Sequence, residues 1–184
     1  MGTVIAAGIT AGFGGWAGGR LARRTQTEQH KFEREKAVVS RGRERADEAI
    51  TALRFLQRHR AEVANWSNPA PEGELSQVQD EYERLGRAIE YLSEGSVRDQ
   101  VELLYGAIGD AFIVVGFGEH EFNDAEQMIW SACREGVTIL GRYIRDEPTP
   151  QYSDFLKALR QAYDSAHDDF EQYSHWLREP ERDA

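Results

Sequence analysis

His167, Glu171 and His175 recur at i, i+4 and i+8 near the end of this 184-residue chain. On a helix that spacing puts three donors on roughly one face, the arrangement a transition metal would use. The same stretch carries Asp164, Asp168 and Asp169, and a face this rich in charge is also what a solvated helix surface looks like. A carboxylate-bridged di-metal centre in a helical bundle needs two Glu-x-x-His pairs and two further glutamates. None of the five histidines has a glutamate three residues before it, and Asp164-x-x-His167 is the nearest approach. The ligand count therefore fails.

Three further groupings invite chemistry. Glu119, His120 and Glu121 are consecutive in GFGEHEF, and adjacent side chains diverge, so a solvated loop is expected there. Gly12-Phe13-Gly14-Gly15-Trp16-Ala17 fits a loose dinucleotide fingerprint. A charge-rich helical pattern follows it, where the fingerprint requires a crossover to a second strand. Cys133 is the single cysteine, which excludes an intramolecular disulfide and any multi-cysteine metal site. It has no catalytic partner legible in the sequence. No P-loop lysine, HExxH or nucleophile elbow is present. The expectation is a protein that is no enzyme and holds no metal or cofactor.

The elements that would position such residues are read from periodicity. Residues 1–19 carry no charged side chain, and Arg20, Arg23 and Arg24 follow at once. Nineteen residues of helix reach about 28 Å, close to the roughly 30 Å of a bilayer core. Residues 1–24 are accordingly expected to form a single transmembrane helix. Gly8, Gly12, Gly15 and Gly19 are spaced four, three and four apart, a small-residue stripe suited to helix–helix packing in lipid and hence to homo-oligomers. Arg20, Arg23 and Arg24 would meet the lipid head groups. By the positive-inside rule they place the C-terminal body in the cytoplasm of a single-pass cell-membrane protein. A secretory signal is disfavoured because the positive charge lies after the apolar run.

Residues 25–45 read as a charged helical stalk, with Glu28 and Lys31 at pairing distance and Gly42 marking a bend. Residues 46–178 read as an all-α, four- to five-helix antiparallel bundle, followed by a tail at 179–184. Its stripes are Ala46, Ala49, Leu53, Leu56 and Val63; then Val78, Tyr82, Leu85, Ile89 and Leu92; then Val97 through Ile108 to Val115 as one helix. A fourth helix opens at Asn123, capped with Glu126, and a last one runs from about Pro150 to Leu177. Breaks fall at residues 67–74, where Pro69, Pro71 and Gly73 cluster, at 93–96, and at 147–150.

Charge divides sharply along this plan. Residues 20–60 hold 12 Lys/Arg against 6 Asp/Glu, a net of +6, while 61–184 hold 10 against 26, a net of −16. A basic stretch after an apolar one suits an anionic membrane surface. The acidic body argues against nucleic acid as a partner. The leading expectation is a membrane-anchored interaction or scaffold protein that presents an acidic bundle to an unknown cytoplasmic protein. Two alternatives stand beside it: a membrane-active, lysis- or holin-type oligomer, and a soluble helical-bundle sensor whose N-terminal helix is part of the core.

Overall fold

The structure is a computed structural model describing residues 10–66, 77–118 and 122–178, with side chains described for 29–34, 36–66, 77–118 and 122–173. The chain divides into two compact units, Met1–Ser40 and Arg41–Ala184. Seven helices are described and no strand: α1 Thr10–Arg58, α2 Arg60–Ala64, α3 Gln77–Ile89, α4 Gly95–Gly109, α5 Ala111–Phe117, α6 Ala125–Ile144 and α7 Asp154–Arg178. The all-α expectation is met. The expected four or five helices become seven because two apolar stripes that read as continuous are each interrupted.

The first interruption is at His59, whose ring stacks on Phe55 at 4.2 Å and separates α1 from α2. The second is at Asp110, where α4 and α5 meet at 81°. Hydrophobic periodicity passes straight through both, because a kink that keeps the same face inward leaves the stripe intact. Gly42 lies inside α1, whose helix is unbroken on either side of it. Its lack of a Cβ serves packing, since a Cβ there would collide with the Tyr143 hydroxyl.

Helix ends show how local chemistry shifts the expected boundaries. Asp124, one residue beyond the expected Asn123, caps α6 by accepting the Gln127 amide at 3.1 Å. Ser153 Oγ accepts the Leu156 amide at the start of α7, so this helix begins after Pro150 and Tyr152. The last carbonyls of α6 are taken by the amides of Asp146 and Glu147, with Asp146 in the left-handed region at φ 60°. Arg98 closes the end of α3 by donating to the Leu92 carbonyl. Gln100, only 2 % exposed, ties the 147–153 connection to α4 by donating to the Pro150 carbonyl at 3.0 Å.

The core of the second unit is continuous, from Ala46, Leu53 and Leu56 of α1 through Leu104 and Ile108 of α4 to Ile139, Leu156 and Leu159. α1 and α6 run antiparallel. Gly42 meets Tyr143, Leu53 meets Gly136, and Gln57 donates to the Trp130 carbonyl, so contacts ascend one helix as they descend the other. α3 and α4 pair in the same sense through two reciprocal contacts, Tyr82 over Gly109 and Tyr105 over Gly86. A glycine under a tyrosine lets two helix backbones approach and gives the aromatic ring a flat bed.

In the first unit, every described side chain from Gln29 to Ser40 is exposed, Phe32 and Val38 among them. Lys36 Nζ lies 4.4 Å from the Phe32 ring centroid and His30 pairs with Glu33 at 3.7 Å. Among the described residues no single helix is long and apolar enough to cross a membrane. Most of α1 is too polar, since charges recur from Arg20 onward, and residues 1–9 of the expected span lie outside the described residues. The bent pair α4–α5 passes by length and composition. Most of its aliphatic side chains, Val101, Leu104, Ile108 and Val114 among them, are buried in the core.

Candidate functional site

The polar centre of the bundle is built around the α4–α5 bend. Asp110 sits between the two helices, and no side-chain cap holds it there. Its carboxylate is claimed from α7. The Tyr163 hydroxyl donates to Oδ2 at 3.0 Å, and His167 Nε2 stands 3.3 Å from the same oxygen. Tyr163 and His167 are one helical turn apart, so they reach the same point, and their rings lie 4.5 Å from each other. Gly106, one turn before Asp110, leaves room for Tyr163: a Cβ there would lie 2.9 Å from its hydroxyl.

An aromatic row adjoins this cluster. Tyr82 stacks on Tyr105 with centroids 4.2 Å apart, donates to the Tyr105 carbonyl at 3.1 Å, and meets the edge of Trp66 at 5.0 Å. Beyond Trp66 opens a cleft of about 230 Å³ lined by Val63, Ala64, Trp66, Gly109, Asp110, Phe112, Ile113 and Phe170. Phe112 is 56 % exposed although it lies in an apolar run. The bend explains this, because turning the chain by 81° leaves one large side chain of α5 outside the core.

Burial raises the Tyr163 phenol to about 12, with the hydrogen bond to Asp110 adding to the effect. Tyr82 is pushed well above the ordinary phenol range, by burial first and by Tyr105 second. A raised phenol pKa means that the neutral form is favoured in the fold. This contribution is whole below the unfolded tyrosine value near 10 and is lost as pH rises through the folded value. Stability should therefore fall between about pH 10 and about 12, followed by tyrosinate absorbance alongside helical circular dichroism. Tyr163→Phe should remove part of that alkaline slope. An unchanged slope would mean that the Tyr163 phenol is not held neutral by its burial in the fold.

The residues singled out from sequence fare differently. Gly8 lies outside the described residues. Gly12, Gly15, Gly19, Arg20, Arg23 and Arg24 belong to α1, with their surroundings outside the description. His167 turns to Asp110, Glu171 is exposed, and the side chain of His175 lies outside the description. Among the described residues no group of three or more His, Cys, Asp or Glu is placed to hold a metal ion. Residues 119–121 lie outside the description. Cys133 is buried in α6, and burial pushes its thiol up to about 12, so the nucleophilic thiolate is disfavoured.

Sequence reasoning passed over Asp110. The signal for Asp110 was an acidic residue inside the apolar run of residues 107–115, where solvation alone would not place it. No model of a protein family matches the chain, no curated protein resembles it, and no solved structure shares a detectable likeness with it. The reading of function therefore rests on the residues themselves.

Proposed function

We propose that this chain is a non-enzymatic interaction protein whose N-terminal segment tethers an acidic helical bundle to a membrane. The observation that carries the reading is the contrast along α1. From Gln29 to Arg41 every described side chain is exposed, whereas from Gly42 onward the same helix supplies Gly42, Ala46, Ala49, Leu53 and Leu56 to the buried core. A helical run with no buried face does nothing to hold a bundle together; its use is to connect. What precedes it is the uncharged stretch 1–19 and the basic group Arg20, Arg23 and Arg24. Apolar insertion followed by cationic contact with head groups is the chemistry those residues offer.

The glycine stripe Gly8, Gly12, Gly15 and Gly19 is the proposed surface for self-association within the bilayer. The bundle would lie on the cytoplasmic side, where a net charge of −16 over residues 61–184 steers basic partner surfaces towards it. Tethering alone raises the local concentration of such a partner. The size of the folded body favours this role over a membrane lesion, since a pore needs only the span.

Membranes carrying the full chain, washed with high salt and then alkaline carbonate, are expected to retain it until detergent is added. Removal of residues 1–24 is expected to release a soluble, helical body. Release of the full chain by salt alone would overturn the anchor. Unfolding of the shortened chain would move the N-terminal stretch into the core.

A further inference from the structure

We propose that the cleft between α2, the α4–α5 bend and α7 binds a small organic cation, an ammonium carried on one aromatic ring by a short arm. Three features of the cleft converge on that class. Its walls are apolar and aromatic, with Trp66, Phe112 and Phe170 among the residues lining a volume of about 230 Å³, on the scale of a single ring. Asp110 is the only charged residue among those lining it. Its Oδ2 is taken by Tyr163 and faces His167, while Oδ1 makes no hydrogen bond or ion pair within the described residues.

A carboxylate fixed on one edge while its other oxygen stays free is a directed acceptor, and an ammonium is the group that satisfies it with charge. Aromatic faces attract the same cation through their quadrupoles, tryptophan most strongly. An anion would meet the carboxylate, and a neutral ligand of the same shape would gain only the apolar contact. The acidic charge of residues 61–184 raises the local concentration of cations on a longer range. The site is separate from the proposed membrane tether and does not depend on it.

The test uses the full chain in detergent and three probes of nearly one shape: phenethylammonium, 2-phenylethanol and phenylacetate. Binding is followed by calorimetry and by shifts of the Trp66 indole resonance. Phenethylammonium is expected to bind at least about tenfold more tightly than the alcohol, and the acid least. Asp110→Asn should erase the preference for the amine. Equal affinity for amine and alcohol, or no binding of the amine at millimolar concentration, would overturn the proposal. That comparison is made on the unaltered chain and decides the matter even if Asp110→Asn does not fold. Phe112→Ala, at an exposed position, should weaken the amine several-fold; undiminished binding would place the amine elsewhere and refute the site.

Discussion

Replacing Leu53 by alanine is expected to lower the unfolding free energy by about 3 kcal/mol, read as a shift of the urea midpoint at constant slope. Leu53 is fully buried where three helices meet. A Cβ placed on Gly136 of α6 would lie 2.8 Å from Leu53 Cδ1 and 3.4 Å from Leu104 Cδ1 of α4, so the leucine fills the space the glycine leaves. Truncation removes the transfer free energy of the lost carbons and leaves a cavity between backbones that cannot close fully. The geometry adds a sharper expectation. Gly136→Ala alone should cost about 1–3 kcal/mol by overpacking, partly offset by about 1 kcal/mol of helix propensity. In the Leu53→Ala background the same change should become stabilising, because its methyl group enters the vacated space. A cycle showing no coupling between the two sites would remove Leu53 from its place over Gly136.

Gly42→Ala is expected to destabilise the bundle by about 1–2 kcal/mol, although alanine is the better helix former by about 1 kcal/mol. The new methyl group collides with the Tyr143 hydroxyl, and moving that hydroxyl breaks its 2.8 Å hydrogen bond with Ser93. The next nearest atoms, the Tyr91 carbonyl oxygen at 3.4 Å and Ser93 Oγ at 3.5 Å, are at tolerable range. Tyr143→Phe removes the obstructing atom, so in that background Gly42→Ala should turn stabilising by up to about 1 kcal/mol. If Gly42→Ala stabilises the unaltered protein, Gly42 is a plain helix-weakening glycine and α1 does not lie against Tyr143. Gly42 and Leu53 are two of the contacts along the antiparallel seam of α1 and α6, with Gln57 on the Trp130 carbonyl a third.

Much of the body was legible beforehand because its stripes follow helical spacing closely. Val78, Leu85, Ile89 and Leu92 are all buried, as are Val97, Val101, Leu104 and Ile108. The two prolines of residues 147–150 marked a true interruption between α6 and α7. The breaks at His59 and Asp110 were hidden, since neither involves proline and both preserve the inward face. Gly42 was read through its intrinsic weakness in a helix, whereas its role depends on a tyrosine 101 positions away. The His167 row was read as three donors on one face. His167 instead turns to Asp110, a carboxylate within the helix that periodicity had read as continuous from Val97 to Val115.

By itself the sequence determined the helical class, the inward face of nearly every helix, and the split between a basic N-terminal third and an acidic remainder. Those properties are set by composition and by spacings of three and four residues, which act locally along the chain. Only the tertiary structure decided which tyrosine lies on which glycine, where a continuous stripe turns by 81°, and that Asp110, Tyr163 and His167 form one group beside an aromatic cleft. Such pairings join residues from about 20 to about 100 positions apart. Nothing in local spacing selects them, because they follow from how rigid helices fill one shared volume.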